Sequence, residues 1–237
     1  MAIEAVQAAA RAAREARNRP LNPRAKSVAA DLVTEADAQA ESAAAAVLRR
    51  RFPTDGILGE EGTQADGVQR RWLIDAIDGT VAFAGDLSNW CSAIALEDEE
   101  GTKVAAVLAA DGELHTADRA AEPVNTVRRG RALDDAHVAA FFRRDRLVLP
   151  GVRETAHRLL DRAGLVRHAG PGSLELAWVA QGRLDAWLQP AVDPWDWLPG
   201  ALLVTQAGGT ARVIHNETRW HLAGPRELVD ELAGLLG

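Results

Sequence analysis

From Val152 to the C-terminus, stretches with helical spacing of apolar residues alternate with short β-rich runs, and this order restricts the fold more than any other feature of the chain. The pattern predicts a helix over Val152–Ala163, a strand over Leu165–His168, a helix over Ser173–Gln181 and a strand over Leu184–Leu188. A helix over Trp195–Gln206 follows and stops at Gly208-Gly209, because glycine takes the left-handed conformation that ends helices. Strands over Thr210–Ile214 and Trp220–Leu222 and a helix over Glu227–Leu236 complete this half. Such alternation excludes all-α and all-β folds and predicts an α/β arrangement.

The first half opens with an amphipathic helix over residues 2–18, ended by Pro20 and Pro23. Asp37 is the expected N-cap of a second helix that runs through alanines to Arg51 and closes at Phe52-Pro53. A short apolar run, Ile57-Leu58-Gly59, ends in Glu60-Glu61, and a polar loop follows over Gly62–Arg70. Trp72-Leu73-Ile74 reads as a buried strand ending on Asp75. Cys91–Leu96 and Val104–Leu108 flank the turn Asp98–Gly101 as a hairpin, and Asp111-Gly112 leads into a strand over Glu113–Thr116. The irregular, arginine-rich stretch 118–135 is the expected boundary between two lobes, 1–120 and 121–237, of one catalytic unit.

The chain has 237 residues, 47% hydrophobic and 26% charged, which is enough to build a sizeable core. A net charge of −7 argues against binding polymeric nucleic acid, which needs basic surface to displace counterions. It permits a small anionic substrate, because a bound cation supplies positive charge locally. Cys91 is the one cysteine, so neither an intrachain disulfide nor a zinc–thiolate site is available. Residues 1–19 contain no apolar signal-peptide core, and no apolar run approaches the roughly 20 residues that span a bilayer. The expectation is a cytoplasmic protein without a membrane partner.

The chemistry concentrates in Trp72-Leu73-Ile74-Asp75-Ala76-Ile77-Asp78-Gly79-Thr80. Two carboxylates three apart at the end of an apolar strand can converge on one point as the chain turns. Oxygen ligands of that kind suit a hard cation such as Mg²⁺. Gly79 and Thr80 can then open a helix whose unpaired N–H groups favour phosphate. An Asx-capped turn explains the same residues without any ligand. Further acids occur in Asp31–Asp37, in Leu58-Gly59-Glu60-Glu61 and in Asp196, which lies between Trp195 and Trp197. An acid in so apolar a setting needs a partner, either a metal or the positive end of a helix.

These segments, in this order, resemble the signatures of the inositol monophosphatase family: D-x-V-T-x-x-D, G-E-E, W-x-I-D-P-I-D-G-T-x-N-F, and W-D followed by A-G-G. Here they read Asp31–Asp37, Gly59-Glu60-Glu61, Trp72–Phe83 and Trp195–Gly209, with Gly172-Ser173 and Gly182-x-x-Asp185-Ala186 between. The resemblance implies a five-layer α/β/α/β/α sandwich, as in inositol monophosphatases and fructose bisphosphatases. It implies a lithium-sensitive, Mg²⁺-dependent phosphatase, commonly a homodimer, that uses activated water. Glu60, Asp75 and the Ile77 carbonyl would bind one Mg²⁺; Asp75, Asp78 and Asp196 a second; a third near Glu60 is an option. Gly79 and Thr80 would hold the phosphate, Thr80 and Asp37 would activate the water, and Lys26 falls beside the site. Gln189, Asp78 and Asp196 would meet the substrate.

Three departures stand out from the family pattern: Ala76 for proline, Ala82 for asparagine, and Gln189 where inositol phosphatases carry glutamate. An amide both donates and accepts where a carboxylate only accepts, so the substrate need not be inositol phosphate. Sugar, aminocyclitol and histidinol phosphates fit the same chemistry. So does a 3′(2′),5′-bisphosphate nucleotide, and an inactive ligand-binding relative is the alternative of another class. Arg119, Arg128, Arg129 and Arg131 replace a glycine-patterned segment and read as a solvated loop. His115 and His168 read as surface or supporting residues, since no paired zinc spacing exists. Ser173 lacks the G-x-S-x-G setting of a serine hydrolase, and Cys91 reads as core.

Overall fold

Side chains alternate between the two faces of a strand, so a sheet buried on both sides needs helices on both sides. That requirement builds this molecule. The computed structural model describes residues 1–18, 21, 24–25 and 32–236. Helix α1 (Ala2–Ala16) and the short strands β1 (Arg24–Ala25) and β2 (Leu32–Val33) precede α2 (Glu35–Arg51). Strands β3 (Gly56–Gly59), β4 (Gln64–Ala65) and β5 (Arg71–Asp78) lead to the one-turn helix α3 (Thr80–Ala84). Strands β6 (Cys91–Asp98), β7 (Gly101–Ala109) and β8 (Leu114–Asp118) complete a six-stranded sheet in the order β4-β3-β5-β6-β7-β8. Within it only β3 and β5 pair in parallel.

The second half supplies β9 (His137–Ala140), α4 (Val152–Arg162), β10 (Leu165–Arg167), α5 (Gly172–Ala180), β11 (Ala186–Pro190) and α6 (Pro194–Gln206). It ends with β12 (Thr210–His215), β13 (Arg219–Gly224) and α7 (Arg226–Ala233). Its five-stranded sheet runs β10-β9-β11-β13-β12, parallel among the first three strands and antiparallel among the last three.

Three apolar clusters follow from the alternation. Ile74, Ile94 and Ala106 face α1 and α2, whose alanines let the helices approach closely. Cys91, Ala93, Ala105 and Val107 point the other way, onto α5 and α6, which meet Trp187 and Ala223 of the second sheet. Val138, Leu188 and Leu222 face α4 and α7. The layers are therefore helix, sheet, helix, sheet, helix, the sandwich expected from the sequence. No helix among the described residues is long and apolar enough to cross a membrane.

Several local expectations change. Thr34, not Asp37, caps α2: its Oγ1 accepts from Ala36 N at 3.1 Å, and Asp37 returns Oδ2 to Thr34 N at 2.7 Å. This reciprocal pairing satisfies two N–H groups where a lone Asp37 cap would satisfy one. Strand β5 continues three residues beyond Asp75, and the strand at 137–140 had no expected counterpart. His115 is buried on β8 beside Glu113, away from the surface. Arg119, Arg128 and Arg129 are exposed, as a solvated loop requires, but they also have partners: Arg128 and Arg131 both lie 3.6 Å from the buried Asp185, and Arg129 donates to Gly208 O at 2.7 Å. Arg119 donates to the carbonyl of Glu100.

Candidate active site

Residues three apart on a regular strand point to opposite faces. Asp75 and Asp78 escape that rule because β5 carries an extra residue between them: Asp75 pairs with Ala93, but Asp78 pairs with Cys91. Ser92, between Cys91 and Ala93 at the start of the partner strand, donates its hydroxyl to Ala76 O at 2.7 Å and fixes the bulge. Gly79 then turns the chain with φ +96°, and a Cβ there would sit 3.0 Å from Asn89 O. Helix α3 starts at the next residue. Arg17 of the first helical segment donates to Phe83 O and Leu87 O, both at 2.9 Å, and ties this turn to α1.

Glu60 leaves the end of β3, the parallel neighbour of β5. Its loop is held from below by Glu41 of α2, which is buried and accepts from Glu61 N at 2.7 Å and Thr63 N at 2.8 Å. A Cβ on Gly59 would lie 2.2 Å from the Glu41 carboxyl carbon, so glycine before the two glutamates is what admits this brace. Asp196 comes from the first turn of α6, where Pro194 occupies an early helical position that needs no N–H partner. One oxygen from each of Glu60, Asp75 and Asp196 lies within 4.8 Å of the others.

Burial, reinforced by the charges of Glu60, Asp78 and Asp196, pushes the Asp75 carboxyl well above the usual range. Asp196 is raised in the same way, by burial and then by Asp78 and Glu60. Asp78 is pushed up to about 6, chiefly by burial, while the Ser173 N–H at 2.8 Å pulls the other way. Carboxylates packed without cations hold protons to relieve their repulsion, and a divalent cation relieves it better. The donor set is all oxygen, which suits a hard ion.

Beside this corner, Thr80 Oγ1 donates to Asp37 Oδ1 at 2.9 Å, with Ile77 O at 3.2 Å as its other acceptor. Asp37 Oδ2 accepts from Thr34 Oγ1 at 2.6 Å, so the carboxylate is held from both sides. Glu60, Asp75, Asp78, Thr80 and Asp196 line one cleft of about 700 Å³, and Ile77, Gly79 and Gln189 line it too. Of the residues singled out from the sequence, Lys26 and Asp31 lie outside the described residues. Trp195 lines the cleft, while Trp197 stacks on Trp187 with ring centroids 5.7 Å apart, as core. Ser173 donates Oγ to Asp196 O at 3.3 Å, and the Cys91 thiol is buried 3.9 Å from Asp78 Oδ2. Sequence reasoning missed Glu41 and the turn at 143–146, whose Arg143, Arg144 and Arg146 enter the lining. Glu41 falls in an alanine-rich helix with no local mark of its role. The run of arginines at 143–146 was visible but had no position.

A layered sandwich with an acidic corner between its two sheets defines a metal-dependent phosphatase scaffold. The chain belongs to the inositol monophosphatase family, whose model matches residues 1–233. It is 36% identical over 196 residues to an inositol-1-monophosphatase of Rhizobium meliloti, covering 76% of this chain and 71% of that one. It is 33% identical over 186 residues to a Nus factor SuhB of Xylella fastidiosa, covering 76% and 68%. The crystal structure of the extragenic suppressor protein suhB from Bartonella henselae superposes with a TM-score of 0.88 at 25% identity, covering 99% of this chain and 96% of that one. Family membership and the acidic cluster make this a Mg²⁺-dependent hydrolase of the phosphate monoester of a small molecule.

Proposed function

We propose that Glu60, Asp75, Asp78 and Asp196, with the Ile77 carbonyl, hold two Mg²⁺ ions, with room for a third near Glu60, and that Asp37 and Thr80 prepare the attacking water. The meeting of Glu60, Asp75 and Asp196 oxygens within 4.8 Å carries this reading. When bound, Mg²⁺ neutralises the phosphate oxygens, lowers the pKa of water and stabilises the departing alkoxide. The residues do the rest. Gly79 and Thr80 offer backbone N–H groups at the start of α3 to a phosphate oxygen. Thr80 donates its hydroxyl hydrogen to Asp37, which leaves its oxygen lone pairs to receive a water proton and orient the water for in-line attack. Asp37 is held by Thr34, and as Thr80 Oγ1 takes the water proton it passes its own to the Asp37 carboxylate.

The substrate is a phosphorylated inositol, sugar, aminocyclitol or histidinol, with Gln189 donating to or accepting from a ring substituent where a glutamate could only accept. A lithium-sensitive, cytoplasmic homodimer that binds no nucleic acid polymer is the accompanying expectation. Phosphate release from a panel of small monoesters tests the assignment. Activity should require Mg²⁺, vanish with EDTA and fall with Li⁺. Full Mg²⁺-dependent activity in Asp75→Asn would overturn the metal assignment.

A further inference from the structure

Glu175 is an acid to which the mechanism gives no part. It lies on α5 beside Leu174 and Leu176, in the layer between the two sheets, with 0% of its surface exposed. An apolar residue would fill that place without the cost of burying a carboxyl group. Its Oε1 accepts from Gly170 N at 2.9 Å, while Oε2 is buried with no hydrogen-bond partner among the described residues. Arg167 Nε stands 3.8 Å from Oε1, too far for a hydrogen bond, and its guanidinium group lies over the Trp178 ring at 5.0 Å. The short bond therefore goes to the backbone just ahead of α5.

What that bond holds lies against the acidic corner. Gly170, Pro171 and Gly172 line the cleft. Pro171 packs on the turn at Gly79, where an added Cβ would sit 3.3 Å from Pro171 Cβ. Ser173 N, in the first turn of α5, donates to Asp78 Oδ2 at 2.8 Å, and the Gly172 N–H bears on the same carboxylate. Gly170 has φ +64° and no side chain to brace it, so the place of this segment depends on its backbone partners: Glu175 at the N–H and, at 3.5 Å, Asn89 Nδ2 at the carbonyl.

We propose that Glu175 is a positioning residue for the metal site: by holding Gly170 N it fixes the start of α5, which orients Asp78 as a ligand and seats the turn at Gly79. This rests on the metal-dependent reading above and adds to it a residue that touches neither ion nor substrate. Ligand carboxylates are themselves oriented by hydrogen bonds, and disturbing that outer set weakens metal binding about 10–100-fold. Mn²⁺ alone is the probe, its binding to the full chain followed by the electron paramagnetic resonance signal of the free ion. Glu175→Leu fills the same space without the acceptor and should bind Mn²⁺ about tenfold more weakly. The Mg²⁺ concentration for half-maximal phosphate release should rise by the same factor, while KM at saturating Mg²⁺ changes by less than about twofold. Glu175→Gln, whose Oε1 still accepts from Gly170 N, should stay within about twofold of the unsubstituted chain in both measurements. Asp55→Asn, which disturbs an acid buried outside the cleft, should lower stability and leave Mn²⁺ affinity unchanged. Equal Mn²⁺ affinity in folded Glu175→Leu, or a loss in Glu175→Gln as large as in Glu175→Leu, would sink the proposal. Should Glu175→Leu not fold, Glu175→Ala takes its place with the same expected loss. Absence of Mn²⁺ binding by the unsubstituted chain would overturn the metal assignment and this inference with it. Mn²⁺ binding without phosphate release would strike the phosphatase reading and leave the affinity ratios to decide Glu175.

Discussion

Two kinds of buried acid occur in the first half of the chain and behave oppositely. Glu41 and Asp55 are buried and fully served by the protein: Glu41 takes two backbone N–H groups, and Asp55 takes Arg70 and the Trp72 indole N–H at 2.9 Å. Asp75 takes only the N–H of Ile77, at 3.1 Å, and otherwise faces other carboxylates. The first kind brings its own donors and rigidifies the scaffold. The second is left short of donors, and that shortage is what a cation answers. Burial alone does not mark a functional acid; burial without matched donors does.

The contrast is sharpest where one carboxylate of each kind is removed. Asp196→Asn should lower Mg²⁺-dependent turnover by at least about a hundredfold. The metal-free protein should be no less stable in a urea titration, since a repelling charge has gone. Glu41→Ala should do the reverse to stability, costing about 2–4 kcal/mol because two buried N–H groups lose their acceptor. A cost below about 0.5 kcal/mol would erase the distinction between the two kinds.

Glu175 offers a smaller, intermediate case. Burial pushes its carboxyl up to about 8, against the pull of Arg167, although its Oε1 accepts from Gly170 N at 2.9 Å. The unfolded carboxyl titrates near 4.5, so the folded chain holds the extra proton between those values. Stability from this group is complete below about pH 4.5 and is lost as pH rises through about 8. Glu175→Gln should flatten that decline, read as thermal midpoint against pH. An unchanged slope would place the titrating group elsewhere.

Much of the site was legible because its residues fall in short contiguous runs. Asp75, Asp78, Gly79 and Thr80 announce themselves within six positions, and the acid after Gly59 follows a strand signal. The bulge that makes Asp75 and Asp78 neighbours was not legible, since it depends on Ser92 of another strand. The same holds for Glu41, whose partners lie 20 and 22 residues away, and for Arg128 and Arg131, whose Asp185 is more than 50 residues on. Helix boundaries in the second half were read to within a few residues, because periodicity and glycine stops are local. The strand at 137–140 was missed for the opposite reason: His137–Ala140 is too short to show a period and is defined by its neighbours β10 and β11. Thr34 and Asp37 share the cap of α2, and the sequence alone does not tell which of the two residue types occupies the N-cap and which the third helical position.

Asp196 reaches the acidic corner from a helix that begins 116 residues after β5 ends, Pro194 against Asp78. Glu60 and Asp75 can be positioned by the first sheet alone, but the third carboxylate arrives only when α6 has docked between the sheets. Contacts so distant in sequence must repay the entropy of closing a long loop before they contribute. A cation held by all three would tie α6 to the first sheet and so act as a latch on a finished structure, opposing the departure of that helix more than aiding its approach. Its influence belongs to the rate of unfolding, which makes occupancy of the site a determinant of how long each molecule lasts as well as of what it catalyses.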